Sequence, residues 1–215
     1  MLELAGEETM HHKGTQIIET QRLILRPFTM DDAEAMFRNW HADKEVTKFL
    51  TWQAVKSVEE TKAVLKSWVA SYADPSFYQW AIEFKELHEG IGSLSVVGKE
   101  ERTDTVHIGY AIGKKWWHKG ITTEAFQAII PFLFKEVQVN RIESQHDPNN
   151  PHSGQVMKKC GLTYEGTLRQ ADRSNQGIVD AAIYSLLREE WEKRKKDCPK
   201  ILPKIGILRQ PLFMK

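Results

Sequence analysis

The stretch from His107 to Phe134 constrains the fold more than any other, because it predicts a strand, a turn and a helix in direct succession. The run HIGYAI alternates apolar and small side chains and stops at Gly113, as a strand entering a turn does. Apolar residues then recur at helical spacing from Thr122 onward, where Thr122 or Thr123 is placed to cap the helix. A turn that leads into a helix start exposes unpaired backbone N–H groups. Since this turn also carries lysines, it predicts an anion-binding site.

The turn from Lys115 to Gly120, KWWHKG, resembles the loop that binds the diphosphate of acyl-CoA in the GNAT superfamily of N-acyltransferases. That loop follows the pattern Q/R-x-x-G-x-G/A. Gly120 keeps its second glycine, whereas Lys115 replaces its first residue and His118 replaces its first glycine. If the position of His118 requires a positive φ, a histidine is strained there, although its backbone N–H can still contact a phosphate. The wider run WWHKGITTEA is similar to the RimJ/RimL branch of the superfamily.

Two further motifs extend the resemblance over residues 17–191. Near the start, TQRLILRPF followed by an acidic helix start is similar to the opening of RimJ/RimL-type enzymes. Farther on, PNNPHSGQVMKKCGLTYEG contains the family's N-x-x-S at Asn150 and Ser153 and its G-L-x-x-E-G from Gly161 to Gly166. Because unrelated folds rarely carry the loop, N-x-x-S and G-L-x-x-E-G in this order, the chain is identified as a member of the GNAT superfamily.

Composition limits the alternatives. A chain of 215 residues with 41% hydrophobic content has room for one domain, and we expect a flexible leader at residues 1–14, the domain at 15–196 and a tail or arm at 197–215. The formal net charge of +1 provides no global field for binding nucleic acid or a membrane. No apolar run is long enough to cross a bilayer, and two cysteines, Cys160 and Cys198, fit a reducing compartment. We therefore expect a cytoplasmic protein, whose C-terminal arm could pack on a second subunit of a homodimer.

The spacing of the apolar residues gives the expected elements. Alternation predicts a first strand around Leu23–Phe28 and further strands over residues 78–84, 91–97, 106–112, 140–147, 164–168 and 179–187. Helical spacing predicts helices over residues 29–40 and 58–72, one from Thr122 and a short one from Ser153. The resemblance implies a single-domain α/β (α+β) fold of GNAT type, with a mixed, mostly antiparallel central sheet of about seven strands flanked by helices. It also implies that the sheet splays beside the strand at 106–112 and that CoA lies in the gap.

Transfer of an acyl group from a thioester to an amine needs a neutral amine, a donor for the tetrahedral oxyanion and a proton for the departing thiolate. Ser153 can be interpreted as a helix N-cap or, by resemblance, as the residue that protonates the thiolate, and we favour the second role. The oxyanion donor is expected to be a backbone N–H near Tyr110–Ile112. Cys160 lies on the apolar face of its helix and is interpreted as a structural thiol, while Tyr184 could reach the thioester or belong to the core.

Asp172 is the favoured general base, because the resemblance puts an acidic residue after L-x-Q-A and the chain reads LRQAD there. The alternative for Asp172 is a solvated carboxylate in a turn. Glu143 and His146 are the other candidates, as bases that act through water, and strand alternation directs them to opposite faces. His146 and His152 have no further Cys or His at metal-ligand spacing, so no metal site is expected.

The resemblance assigns acetyl-CoA as the co-substrate. The residues expected to contact it are Tyr110, Ala111, Ile112, Lys115, Trp117, His118, Lys119, Gly120, Ile121, Thr122, Asn150, Ser153 and Lys159. The expected acceptor is a primary amine, in the RimJ/RimL branch the N-terminal α-amine of a protein such as a ribosomal one. Phe49 and Trp52 lie in the segment that covers the acceptor in this family, or else pack beneath a loop. A small-molecule amine or amino acid is the alternative acceptor, and a non-catalytic CoA-binding sensor is the alternative function.

Overall fold

One nine-stranded sheet organises the part of the chain that the computed structural model describes, residues 10–197 and 206–208. The strands are β1 (Ile17–Glu19), β2 (Leu23–Arg26), β3 (Gln79–Phe84), β4 (Glu89–Glu100), β5 (Thr105–Ile112), β6 (Arg141–His146), β7 (Thr163–Ser174), β8 (Gly177–Leu187) and β9 (Gly206–Leu208). They lie in the order β7-β8-β6-β5-β4-β3-β2-β1-β9. Every neighbouring pair is antiparallel except β5 and β6, which are parallel. The predicted mixed, mostly antiparallel sheet is confirmed.

Six α-helices flank the sheet within the described ranges. They are α1 (Ala33–Met36), α2 (Lys44–Thr47), α3 (Val58–Ser71), α4 (Ile121–Phe132), α5 (Pro151–Lys159) and α6 (Arg188–Asp197). A 3-10 turn precedes α1 and a π turn follows it, so the single helix expected over residues 29–40 is an irregular one. No helix in the described ranges has both the length and the apolar composition needed to cross a bilayer.

Each face of the sheet has its own hydrophobic core, and alternation along β5 contributes to both. Ile108 and Ile112 belong to the larger core together with the buried face of α4. Ala111 faces the other way and joins the smaller core around Trp40 and Leu65, which α1 and α3 cover. The strand beside the predicted anion site is thus held from both faces, which fixes its position.

The parallel pairing of β5 with β6 covers only the first half of each strand. Thr105–His107 pair with Arg141–Glu143, after which the ladder stops. The Ser144 hydroxyl donates to the Ile108 carbonyl over 2.8 Å and marks the point where the strands separate. Beyond it the strands diverge, so the splay implied by the resemblance is present beside β5.

The strand count exceeds the expected number for two reasons. The predicted first strand corresponds to β2, and β1 is an additional strand that forms a hairpin with it through a turn at Thr20. The second addition is β9, which pairs with β1 and comes from the segment expected to be a tail or arm. The rest of that segment, residues 198–205 and 209–215, lies outside the described residues.

The expected flexible leader is corrected in the part that the structure describes. Met10 is only 3% exposed and belongs to the larger core. The backbone N–H of His11 donates to the Val137 carbonyl over 2.7 Å, and the His12 ring lies 3.1 Å from the Tyr78 hydroxyl. Residues 10–14 therefore pack on the domain, because they supply an apolar side chain and backbone partners; residues 1–9 lie outside the described part.

Phe126 tests the packing of α4 against the sheet. Its side chain is fully buried and its ring lies 5.9 Å from that of Tyr110 on β5. Phe126→Ala should lower the free energy of unfolding by about 3–5 kcal/mol in urea denaturation, because it removes a buried ring and leaves a cavity. Glu136→Ala, an exposed change in the π turn at Leu133–Val137 that follows α4, should cost less than about 0.5 kcal/mol. A loss for Phe126→Ala as small as that of the control would contradict this packing.

Candidate active site

A cleft of about 490 Å³ lies where β5 and β6 separate. One wall is the loop between β5 and α4, and the opposite wall is the first half of α5. The cleft also reaches the other face of the sheet, where Glu45, Val46, Phe49 and Leu50 line it. It therefore has two mouths, one on each side of the sheet.

The loop before α4 folds so that backbone amides face the cleft. A 3-10 turn at Lys114–Trp116 buries the Trp116 ring, and Trp117 donates from its indole nitrogen to the Ile112 carbonyl over 3.0 Å. His118 and Gly120 then both have positive φ, of 60° and 73°. Gly120 is the N-cap of α4, which corrects the expectation that Thr122 or Thr123 caps it. No described side chain caps this helix start, so its first N–H groups remain available to an anion.

The start of α5 differs from the expectation for Ser153. Pro151 is the first helical residue and Asn150 is the N-cap, so the helix begins two residues earlier than predicted. Proline suits this position because it has no N–H to satisfy. Ser153 is therefore inside the first turn, and its hydroxyl lies 2.8 Å from the Tyr110 hydroxyl instead of capping the helix. The Ser153 hydroxyl is therefore not used as the helix cap, which was one of the two roles considered for it.

Tyr110 connects β5 to α5 across the cleft. Its hydroxyl lies 3.0 Å from the Ser153 carbonyl, to which it can donate, as well as beside the Ser153 hydroxyl. Burial raises the pKa of Tyr110 well above its usual value, although the hydrogen bond with Ser153 opposes the shift. Tyr110 therefore keeps its proton at neutral pH and can share it with Ser153.

Most of the residues expected to contact CoA line the cleft. They are Tyr110, Ala111, Ile112, Trp117, His118, Gly120, Ile121, Thr122, Asn150, Ser153 and Lys159. Lys115 and Lys119 are the exceptions, and both are exposed outside the lining. Lys115 lies outside the lining because the 3-10 turn directs the Trp116 side chain inward and the Lys115 side chain outward. Lys119 contributes through its backbone carbonyl, which accepts a hydrogen bond from Arg22.

Asp172 and Glu143, two of the three predicted bases, lie outside the cleft lining. Glu143 pairs with Arg141 over 2.7 Å and lies 3.5 Å from the His107 ring, on the face of β6 that points away from Ser144. Asp172 accepts a hydrogen bond from the backbone N–H of the next residue, Arg173, over 2.7 Å. Strand alternation and the long β7–β8 hairpin direct both carboxylates away from Ser153.

His146, the third candidate, lines the cleft. Its Nδ1 lies 2.7 Å from the Asp147 carbonyl, which can only accept, so Nδ1 carries the proton and Nε2 has a lone pair. Nε2 is buried and has no hydrogen-bond partner among the described residues. It packs against Gly154, where a β-carbon would lie only 2.5 Å away, so this helix position requires glycine.

Two other candidate residues near the cleft, Cys160 and Tyr184, belong to the larger core. Cys160 is buried, donates to the Thr123 carbonyl and has its pKa raised by burial, in agreement with a structural thiol. Tyr184 is 5% exposed and belongs to the larger core. Within the described ranges, no three His, Cys, Asp or Glu side chains are grouped so that they could share a metal ion. Cleft residues that the sequence did not single out include Asp147, Gln155, Ser144 and Trp116.

An ion pair anchors the loop from outside the cleft. The Arg22 guanidinium donates from Nε to Glu124 on α4 over 2.6 Å and from a terminal nitrogen to the Lys119 carbonyl over 3.0 Å. Thr20 donates to the same carboxylate over 2.6 Å. Burial acts to raise the pKa of Glu124, but the bonds from Thr20 and Arg22 outweigh it and lower the pKa. The β1–β2 turn therefore holds both the loop and the start of α4.

The comparison with known families identifies the family of this chain. Residues 22–163, more than half of the chain, match the family model described as "Acetyltransferase (GNAT) domain". The chain belongs to the GNAT acetyltransferase family. Members of this family are N-acetyltransferases that use acetyl-CoA, and this GNAT protein is one of them.

Relatives and solved structures agree with this assignment. An uncharacterized N-acetyltransferase of Bacillus subtilis, YoaA, is 30% identical over 172 residues, covering 80% of this chain and 97% of its own. The ribosomal-protein-serine acetyltransferase of Escherichia coli is 30% identical over 137 residues, covering 63% of this chain and 75% of its own. The crystal structure of a GNAT-family acetyltransferase from Bacillus anthracis is 26% identical and superimposes with a TM-score of 0.70, over 81% of this chain and 99% of that one.

Arg22 should matter for CoA binding more than for folding. Arg22→Ala releases the Lys119 carbonyl and leaves the Glu124 carboxylate unpaired beside the helix start that would receive a phosphate. We expect CoA to bind about tenfold more weakly in calorimetric titration, with Arg22→Lys recovering only part of the loss because it cannot make the paired contact.

Arg26 provides the control, because it is the next arginine along the chain and also forms ion pairs with carboxylates. It pairs with Asp32 and Glu83, away from the loop. Arg26→Ala should lower the melting temperature at least as much as Arg22→Ala and leave CoA affinity unchanged. Equal losses of CoA affinity in the two variants would mean that Arg22 acts only through general stability.

Proposed function

We propose that this GNAT enzyme binds acetyl-CoA in the cleft between β5 and β6 and transfers the acetyl group to the N-terminal α-amine of a protein. The observation that carries the proposal is the cleft with two mouths. The mouth beside α4 suits a phosphate-bearing donor, because it presents uncapped backbone amides. The mouth on the opposite face leaves an independent approach for an acceptor.

Backbone groups of β5 supply contacts for the donor. The Ile108 carbonyl points toward β6, since it accepts from Ser144. In a strand, residues two and four positions on direct their polar groups the same way, so those of Tyr110 and Ile112 also point into the gap. Without a strand opposite them, these amides can bond the pantetheine chain and stabilise the oxyanion of the tetrahedral intermediate.

The acceptor mouth is held in place by the tip of the β7–β8 hairpin. Asn175 donates from its side chain to the carbonyls of Thr47 and Trp52, over 2.8 and 2.7 Å, and from its backbone to the Leu50 carbonyl over 3.0 Å. The Glu45 side chain stands at this mouth and is 66% exposed. A fixed rim with an exposed carboxylate suits a cationic amine at the end of a chain. The similarity to a ribosomal-protein-serine acetyltransferase supports a protein N-terminus as that amine.

The chemistry follows from the groups that line the cleft. The neutral amine attacks the thioester carbonyl, the C–S bond of the tetrahedral intermediate then breaks, and an amide and a thiolate result. His146 is the proposed acceptor of the amine proton, because the residue lines the cleft and its Nε2 has no hydrogen-bond partner among the described residues. Ser153 is the proposed proton donor to the thiolate, and the Tyr110 hydroxyl orients it through the 2.8 Å contact between the hydroxyls. Ser153 regains its proton from solvent, to which His146 releases the proton taken from the amine.

Ser153 can be tested by separating turnover from binding. Ser153→Ala should lower kcat about 10- to 100-fold while the Kd for CoA changes less than about twofold, because the hydroxyl acts on the leaving group. Tyr110→Phe should lower kcat in the same direction. Gln155→Ala, a cleft residue on the same helix, serves as the control and should leave kcat near that of the wild type. Equal losses in kcat and affinity for Ser153→Ala would count against the proton-donor role.

The acceptor is tested by a free-thiol release assay with acetyl-CoA. The panel should contain peptides that begin with serine or alanine, the same peptides with a blocked α-amine, free amino acids and small polyamines. We expect release with the free peptides and none with the blocked ones, because the α-amine is the nucleophile. Release only with small amines would reassign the acceptor, and CoA binding without release on any member would indicate a binding protein.

A further inference from the structure

Two histidines contact each other across the mouth of the cleft beside α4. His118 belongs to the loop, His152 belongs to the first turn of α5, and both side chains line the cleft. Their ring centroids lie 4.6 Å apart with an angle of 79° between the planes, an edge-to-face contact. Both residues are exposed, so the contact is not a consequence of core packing. It joins the two walls between which the donor is proposed to lie.

The backbone of His118 indicates that this side chain has a role. Its φ of 60° lies in the left-handed region, where glycine is favoured and a β-carbon costs energy. Glycine at this position would relieve the strain, and it is the residue that the family pattern has there. The chain nevertheless keeps a histidine whose ring meets a second histidine on the opposite wall.

The surroundings of the pair favour an anion. Gly120, the N-cap of α4, provides no side-chain cap, so the start of α4 offers free amides. At the start of α5, Pro151 has no N–H and the Ser153 N–H donates to the Asn150 carbonyl, which leaves the N–H of His152. Lys159 lines the cleft, and Lys115 and Lys119 flank the loop.

The remaining charged or titratable groups at this cleft are few. Arg22 lies beside Gly120 and is paired with Glu124. Glu45 lines the opposite mouth, His146 is buried with its Nδ1 bonded, and the Asp147 carboxylate accepts from Asn149. None of these carboxylates is in contact with the two rings, whereas the amides at the start of α4 and Lys159 line the same cleft.

We propose that His118 and His152 form a clasp on the diphosphate of CoA, in which the rings separate and each donates an N–H to the phosphate oxygens. This inference rests on the proposed function, because it requires CoA in this cleft. A histidine can gain a proton near neutral pH, and an anion held against it favours the charged form. Binding should then take up protons from solvent and tighten as the pH falls.

The test is calorimetric titration of the full chain with CoA and with dephospho-CoA, at about pH 6.5 and about pH 8. Dephospho-CoA keeps the diphosphate but lacks the 3′-phosphate, which titrates in the same range. The variants are His118→Gly, His152→Ala and the double variant. For wild type we expect affinity for both ligands to be several-fold higher at the lower pH. Each single variant should weaken binding about tenfold there and flatten the pH dependence, because a charge-assisted hydrogen bond is lost.

Coupling between the two histidines distinguishes a clasp from two separate contacts. If the rings grip one diphosphate together, the double variant should lose clearly less than the product of the two single losses. Fully multiplicative losses, or single variants that bind with wild-type affinity and pH dependence, would overturn the clasp while leaving the proposed function intact. A wild-type protein that does not bind CoA would overturn both.

His88 supplies a matched control for the change to glycine. It is an exposed histidine with a φ of 49°, in the turn between β3 and β4, and it does not line the cleft. His88→Gly relieves the same kind of backbone strain and should leave CoA affinity and its pH dependence unchanged. If His88→Gly weakened CoA binding as much as His118→Gly, the effect would come from backbone flexibility or global stability, and the clasp would be rejected.

Discussion

The short parallel pairing between β5 and β6 is the constraint on which the site depends. Three residues of each strand pair, the Ser144 hydroxyl binds the next carbonyl, and the remaining polar groups on the edge of β5 that faces β6 have no strand opposite them. A buried strand edge with unpaired amides is costly unless a ligand or solvent satisfies it. The cleft is thus a consequence of the sheet itself, and the loop, α4 and α5 add the groups that would contact a phosphate-bearing thioester in the proposed function.

Local patterns in the sequence were sufficient for the elements and for most of the cleft. The strand–turn–helix at 107–134, the N-x-x-S segment and the β7–β8 hairpin all occur near their expected positions. The errors arise where a neighbouring residue changes the local outcome. Pro151 begins α5 before Ser153 can cap it, and Gly120 in a left-handed conformation begins α4 ahead of the threonines. Capping propensity identifies residues that can begin a helix, but it does not determine at which of them the helix begins.

Contacts between distant parts of the chain could not be predicted in this way. Arg22 reaches Glu124 across 102 positions, and Asn175 reaches Thr47 across 128. Each of these residues is an ordinary polar residue by sequence, and only the fold brings it to a functional segment. The same holds for His118 and His152, which were singled out for different reasons and meet because the two walls face each other.

The sequence contains more candidate bases than the cleft does, because some of the carboxylates lie on the opposite face of the sheet. Arg141 on β6 bridges Glu143 and Glu165, and Glu165 also accepts from Ser185 on β8. The Arg141 guanidinium, with help from Ser185, lowers the pKa of Glu165 to about 2, so this carboxylate is charged at any pH the enzyme would experience. A carboxylate that stays charged cannot accept a proton as a general base, but its ion pair can hold neighbouring strands together. These contacts link β6 to β7 and β8 beside the paired half of β5 and β6, so they fix β6 next to the point where the cleft opens.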